Sequence, residues 1–199
     1  MSATTESKTS PSTSGNKASI DAMFGAGAHY GFVKSRRHPT VKPFIYVTKN
    51  KIEIFDLEKT DAQLDRALEF VKAVAATGKQ ILFLGSKSES KEIIKRIAET
   101  INQPYVAGRW VGGTFTNFEL IRKRAEKLID LTGQKERGEL GKYTKRERLM
   151  IDREIARLEN LFGGIVSMSN LPAAIFVVDS KKEDIAVLEA REKKIPVIS

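Results

Sequence analysis

The chain has 199 residues, 41% of them hydrophobic, which is enough for one domain of ordinary size with a real core. Its 34 Lys and Arg residues outnumber its 25 Asp and Glu residues, and the resulting net charge of +9 favours a polyanionic partner such as nucleic acid. The lack of cysteine excludes disulfides, a thiol nucleophile and thiolate metal sites, and no apolar run approaches the roughly 20 residues of a membrane span.

The N-terminal segment from Ser2 to Ser19 has low complexity, because Ser and Thr make up more than half of it and large apolar residues are absent. Such a segment buries too little surface to offset the entropy lost on ordering, so residues 1–20 are predicted to form a disordered tail. The segment also lacks the apolar centre of a secretory signal peptide, and a cytoplasmic protein is therefore expected.

Residues 22–52 contain no acidic residue, and basic and aromatic residues alternate along them. The basic residues are Lys34, Arg36, Arg37, Lys42, Lys49 and Lys51. The rings are Phe24, Tyr30, Phe32, Phe44 and Tyr46. Cations neutralise phosphates and flat side chains stack on unpaired bases, so this segment is a candidate RNA-binding surface. The alternative is a solvated basic surface whose rings serve as core anchors.

From residue 44 onward, apolar runs alternate with helical patterns as they do in an α/β domain. Residues 44–57 predict two short strands around Lys49-Asn50-Lys51. Further apolar runs that suit parallel strands occur at residues 81–84, 104–107, 173–178 and 196–198. The alternation of strand, helix and strand predicts a parallel sheet.

Four patterns of the type Ser/Thr-x-x-Glu/Gln predict where helices begin, since the two side chains of such a capping box satisfy unpaired backbone donors. The patterns begin at Thr60, Ser86, Thr116 and Ser180.

Residues 119–159 interrupt the α/β pattern with two amphipathic helical segments rich in charge. Their apolar residues recur at intervals of three and four, at Phe118, Ile121, Ala125 and Leu128 and again at Ile151, Ile155, Leu158 and Phe162. Such narrow apolar seams predict an antiparallel coiled-coil hairpin. The hairpin would be inserted into a discontinuous α/β domain made of residues 21–118 and 160–199.

The stretch from Arg109 to Phe118 joins a cation, the only tryptophan, a glycine pair and a helix start. In a structural interpretation, four residues anchor the junction between sheet and hairpin: Trp110, Gly112, Gly113 and Phe118. In a binding interpretation, phosphate oxygens are contacted by Arg109, the glycine amides, Thr114 and Thr116. Both interpretations can hold together, with the ring packed and the polar edge bound.

The carboxyl ends of the predicted parallel strands carry residues 85–88 and Asp179-Ser180, where open α/β sheets bind their ligands. Neither segment is a phosphate-binding loop, and no histidine near Asp179 completes a catalytic triad. We therefore predict no catalytic residue, metal, cofactor or small-molecule substrate. Two alternatives stay open: a nucleotide-binding α/β enzyme at these strand ends, and a protein-docking module that uses the hairpin.

Five segments stand in a characteristic order: His29–Gly31, Lys42–Ile45, Ile54–Thr60, Arg109–Phe118 and Pro172–Asp179. In these segments the chain resembles the family of the second protein of the small ribosomal subunit, in its bacterial form. The resemblance implies a flavodoxin-like (Rossmann-like) parallel sheet with helices on both faces, an inserted helical hairpin and no catalytic activity. It also implies binding to 16S ribosomal RNA between head and body. Neighbouring small-subunit proteins, including the first, mRNA-binding one, would be partners.

The basic segment and the resemblance together give the predicted rRNA contacts. These are Lys34, Arg36, Arg37, His38, Lys42, Lys49, Lys51, Arg109, Thr114, Asn117, Arg122, Lys123 and Arg124.

Overall fold

The computed structural model describes residues 13–199, and residues 1–12 of the predicted disordered tail lie outside the described residues. Helix α1 (Thr13–Gly25) begins inside the segment for which the sequence predicts a tail. The chain divides into two compact units, the first ending at Val71 and the second beginning at Lys72. Within the described residues no helix is long and apolar enough to cross a membrane.

The first unit contains α1 and a three-stranded antiparallel sheet. Its strands are β1 (Tyr30–Val33), β2 (Ile45–Lys49) and β3 (Ile52–Phe55), in the order β1-β3-β2. The predicted strand pair around Lys49-Asn50-Lys51 is confirmed. Asn50 and Lys51 have φ of 51° and 65°, as a two-residue hairpin turn with the twist of the strands requires. Helix α2 (Leu57–Ala76) follows and runs across the boundary between the units.

The second unit is an α/β domain with a four-stranded parallel sheet. Its strands are β4 (Ile81–Leu84), β5 (Tyr105–Val106), β6 (Ala174–Val177) and β7 (Val197–Ile198). Its helices are α3 (Ser88–Thr100), α4 (Phe118–Glu136), α5 (Lys145–Phe162) and α6 (Asp184–Glu192). The strand order β5-β4-β6-β7 places the unit's first strand inside, as in flavodoxin-like sheets, so the predicted α/β class with a flavodoxin-like parallel sheet is confirmed.

The core of the second unit is built on the two central strands of this sheet. Leu82 and Leu84 of β4, and Ile175 and Val177 of β6, are fully buried and belong to one apolar cluster. The sequences of these strands are unbroken apolar runs, because both faces of a parallel sheet are normally covered by other parts of the protein.

Helices α4 and α5 run antiparallel and are joined by two ion pairs. Lys127 binds Glu154 at 3.3 Å and Lys135 binds Asp152 at 2.7 Å. The apolar residues of both helices contribute to the same buried cluster as the strands: Ile121, Ala125, Leu128, Leu158 and Phe162. The paired helices therefore share the core of the α/β unit.

The four predicted capping boxes are not formed, and each helix begins elsewhere. Helix α2 begins earlier than predicted, because the carboxylate of Asp56 accepts the N–H groups of Glu58 and Lys59. Helices α3, α4 and α6 begin two to four residues after the predicted caps, and Ser86 and Thr116 contact distant carboxylates instead. A capping box that sequence reasoning missed is formed at Thr144, before α5.

Gly164 lies against the edge strand β5, where a Cβ atom would collide with the carbonyl oxygen of Tyr105. We expect Gly164→Ala to lower the free energy of unfolding by about 1–3 kcal/mol, because backbone must move to admit the methyl group. Gly141→Ala is the matched control, since a Cβ atom there meets nothing within 4 Å. Urea denaturation followed by circular dichroism measures both, and equal stability of the two variants would contradict the close packing.

Candidate nucleic-acid interface

The stretch Arg109–Phe118 encloses a buried carboxylate, that of Glu189 on α6, whose residue is only 7% exposed. One oxygen accepts the N–H of Gly113 at 2.7 Å and the indole N–H of Trp110 at 3.3 Å. The other accepts the N–H groups of Phe115 at 2.9 Å and Thr116 at 3.3 Å, and the Thr116 hydroxyl at 3.4 Å. Five donors from one short stretch therefore converge on one side chain.

Glu189 stays ionised because these donors outweigh the cost of burial. Burial by itself raises the pKa of a carboxyl group. The backbone N–H groups of Phe115, Gly113 and Thr116, and the indole of Trp110, bind the charged form and hold the pKa of Glu189 below its ordinary value of 4.5. The site is an anion-binding nest that the chain fills with its own carboxylate.

This arrangement corrects the binding interpretation of the stretch. Two of the groups that were expected to contact phosphate, the Gly113 amide and the Thr116 hydroxyl, donate to Glu189 instead. Thr114, a predicted rRNA contact, is 2% exposed, and its hydroxyl donates to the carbonyl of Val111 at 2.6 Å. A buried side chain with an internal partner cannot reach RNA, so Thr114 is a structural residue.

Of the residues predicted as anchors, Trp110 is buried and meets Phe115 edge to face at 5.0 Å. Phe118 packs against the apolar cluster. Gly113 has φ of +92°, a left-handed conformation that glycine adopts without strain. Gly112 is exposed and has open space around it.

Sequence reasoning missed Glu189, although one signal was available. Glu189 lies between apolar residues of α6, directly before the fully buried Ala190 and three residues after the fully buried Ala186. On a helix, residues three apart share a face, so an acid in this position is expected to face the interior and to need donors there.

Two other predicted contacts lie on the outside of the stretch. Arg109 and Asn117 are exposed. Arg109 lines a cleft of about 400 Å³ together with Lys91, Lys182 and Glu183.

The carboxyl ends of β4 and β6 meet where the strand order of the sheet reverses, which is the usual ligand site of this type of sheet. Here Lys87 binds Asp179 at 2.5 Å, and this bond lowers the pKa of Asp179. Ser86 donates both its N–H and its hydroxyl to Glu183. The chain's own side chains thus tie the two strand ends together, and a nucleotide would have to break these contacts to bind there.

Most of the predicted cations of the first unit are exposed to solvent. Lys34, Arg36, Lys42, Lys49 and Lys51 all lie on the surface. Two other members of the predicted set have internal partners. Arg37 forms a 2.8 Å ion pair with the buried Glu53, and the His38 ring is hydrogen-bonded to Thr40.

The three predicted contacts on α4 also differ from one another. Arg122 donates to the carboxylate of Glu126 and to the carbonyl of Met168, each at 3.0 Å. Lys123 and Arg124 are exposed.

The fold therefore defines a class of protein: a flavodoxin-like α/β unit whose usual ligand site is closed by internal pairs, preceded by a basic antiparallel sheet. The profile of the family described as "Ribosomal protein S2" matches residues 23–199. The chain belongs to the ribosomal protein S2 family. This confirms the resemblance read from the sequence, and because the family is one of ribosomal proteins, it confirms that the chain is not an enzyme.

Curated relatives carry the name "Small ribosomal subunit protein uS2". That of Roseiflexus castenholzii is 44% identical over 91% of this chain and 69% of its own length. Those of Porphyromonas gingivalis and Chlorobaculum parvum are each 42% identical over 92% of this chain, and over 66% and 73% of their own lengths.

Replacing Glu189 with Gln should destabilise the fold, because an amide presents hydrogen atoms to the buried N–H groups. We expect Glu189→Gln to lower the free energy of unfolding by about 3 kcal/mol. Glu192→Gln, an exposed position on the same helix, should change it by less than about 0.5 kcal/mol. Urea denaturation of both variants at neutral pH tests this, and similar stabilities would disprove the role given to Glu189.

The lowered pKa of Glu189 also predicts that the stability of the fold depends on pH. Since the pKa of Glu189 is lowered in the fold, its contribution to stability is present above the ordinary carboxyl pKa of 4.5 and is lost as pH falls through the folded-state pKa. The stability difference between the parent chain and Glu189→Gln should therefore shrink in acid. A difference that stays constant from neutral pH to well below pH 4.5 would contradict the prediction.

Proposed function

We propose that this chain is a structural constituent of the small ribosomal subunit and supports translation by binding 16S ribosomal RNA. In this proposal it lies between the head and body of the subunit, in the cytoplasm, and contacts neighbouring ribosomal proteins. The observation that carries the proposal is the match to a ribosomal protein family over residues 23–199.

The charge distribution of the first unit supports RNA as the partner. Five predicted contacts are exposed cations: Lys34, Arg36, Lys42, Lys49 and Lys51. Residues 22–52 contain no acid, and the following Glu53 is buried against Arg37. Phosphates that approach this surface meet positive charge with no opposing carboxylate among these residues, so affinity comes mainly from phosphate neutralisation.

The second unit adds further candidates for phosphate contact: Arg109, Asn117, Lys123 and Arg124, all of them exposed. Arg37, His38 and Arg122 have internal partners, and we rank them after the exposed residues.

The paired helices α4 and α5 are the best candidates for contact with protein neighbours. Ile129, Leu149 and Met150 are each at least half exposed, and exposed apolar side chains are typical of protein interfaces. The first, mRNA-binding ribosomal protein is one candidate neighbour. The nucleotide-binding alternative is not supported, because the Lys87–Asp179 pair occupies the usual ligand site.

Removing two exposed charges should weaken RNA binding and flatten its salt dependence. We expect the double variant Lys34→Gln/Arg36→Gln to bind 16S ribosomal RNA more weakly in filter binding. The slope of log affinity against log salt should become shallower by about 1–2, because fewer counterions are released. Circular dichroism should show an unchanged fold, since both side chains are exposed.

The matched control is Lys72→Gln/Lys79→Gln, which removes two exposed charges from the second unit and should keep the parent slope. A parent chain whose RNA affinity hardly changes with salt would refute the proposed mode of binding.

A further inference from the structure

Three aromatic side chains of the first unit are exposed and do not serve as core anchors. Phe24, Tyr30 and Tyr46 are 61%, 66% and 76% exposed. Burying rings of this size would stabilise the fold, so their exposure leaves a large hydrophobic contribution unused. Groups of exposed aromatic side chains are typical of surfaces that bind a partner molecule.

Two of these rings belong to a preformed stack. The ring of His29 lies 4.4 Å from that of Phe24 at an angle of 12°, and 4.1 Å from that of Tyr30 at 39°. Since the rings already pack on one another in the free chain, little side-chain entropy is lost when a further flat group joins them.

The sheet extends this stack into a continuous face. Tyr30, Ile54 and Val47 are register partners across the three strands, so their side chains share one face. Ile52 and Lys49 form the next row of that face, and Val47 and Ile52 are 45% and 40% exposed. We call this surface, with Phe24 and His29, the ring face.

Tyr46 and Lys51 are the sequence neighbours of Val47 and Ile52 of the ring face, and both stand at irregular positions of the backbone. Tyr46 stands where the pairing of β2 with β3 shifts register, an irregularity that can redirect a side chain. Lys51 occupies a left-handed position of the hairpin turn, φ 65°, where glycine is favoured. The chain thus keeps a cation at the hairpin tip although glycine would fit the turn better.

We propose that the ring face binds unpaired RNA, with bases stacked on its rings and phosphates held by Lys49 and Lys51. This rests on the proposed function and adds the kind of RNA recognised. Single-stranded RNA combines flat rings and anions in every nucleotide, whereas a duplex hides its bases and an acidic protein segment offers few rings. The lack of acids in residues 22–52 matches such a ligand in charge.

Fluorescence tests the stacking directly in the full chain. The native tryptophan, Trp110, is buried, so Tyr46→Trp introduces an exposed reporter next to Val47 of the proposed surface. We expect an adenine-rich unstructured RNA of roughly ten nucleotides, within the site size of single-strand-binding folds, to quench this emission. Inorganic polyphosphate, which has charge but no bases, should leave it unchanged. Equal quenching by both, or none by RNA, would overturn the proposal.

Affinity measurements by fluorescence anisotropy separate rings from charge. Tyr30→Ala and Tyr46→Ala should each weaken binding of the unstructured RNA roughly 5- to 100-fold, whereas Tyr46→Phe should bind like the parent, because stacking needs the ring and not the hydroxyl. Tyr143→Ala, which removes a tyrosine ring from the second unit, is the matched control and should bind like the parent.

Lys51→Gly separates binding from folding. It relieves the left-handed strain and so should not lower the unfolding midpoint, yet it should weaken RNA binding, by about 2- to 10-fold for one lost phosphate contact. Unchanged affinity in this variant would count against the proposal.

Three affinity results would also overturn the ring face as a site for unpaired RNA. These are parental affinity in both tyrosine-to-alanine variants, equal affinity for duplex and unstructured RNA, and tighter binding of an acidic, phenylalanine-containing peptide. The last would assign the surface to a protein partner. Salt-dependent binding of 16S ribosomal RNA could persist in each case, so these results would not refute the proposed ribosomal function.

Discussion

The second unit depends on one buried charge. Glu189 of α6 is taken out of water, and an unpaired buried carboxylate would cost more free energy than a domain of this size can lose. Five donors between Trp110 and Thr116 replace the lost water. To do so, the chain between β5 and α4 must follow one path, and that path fixes where α4 begins. A single carboxylate therefore connects the sheet, the paired helices and the C-terminal helix.

The same physical rule sorts the charges of the molecule into two groups. Carboxylates that lie inside are matched by nearby donors, as Glu53 is by Arg37 and Glu183 is by Ser86. The Lys87–Asp179 pair acts similarly at the strand ends, where it joins β4 to β6. Cations that remain exposed, such as Lys34 and Lys49, are the ones available to phosphate. A basic residue is therefore a good candidate for phosphate contact only when no internal partner holds its side chain.

The Arg109–Phe118 stretch and the basic segment of the first unit differ in how many of their polar groups have internal partners. The Arg109–Phe118 stretch is the longest of the segments that carry the resemblance to the family, yet most of its donors serve the interior. The first unit carries exposed rings and cations on a small sheet that leaves its ring face open. The conspicuous motif and the surface proposed to bind RNA are therefore separate parts of this chain.

The sequence by itself determined the parallel sheet, the β2–β3 hairpin, the apolar seams of α4 and α5, and the family, because these follow from periodicity, turn chemistry and residue order, all of which are local. It did not determine where α2, α3, α4 and α6 begin, because the capping boxes that it predicts at Thr60, Ser86, Thr116 and Ser180 are not formed, nor that Thr114 is buried. Only the tertiary structure decided these. A hydroxyl or an amide can satisfy its hydrogen bond with any acceptor nearby, and the acceptor that stabilises Thr116, on Glu189, is 73 residues away. Which polar groups face inward therefore depends on distances that no local pattern contains.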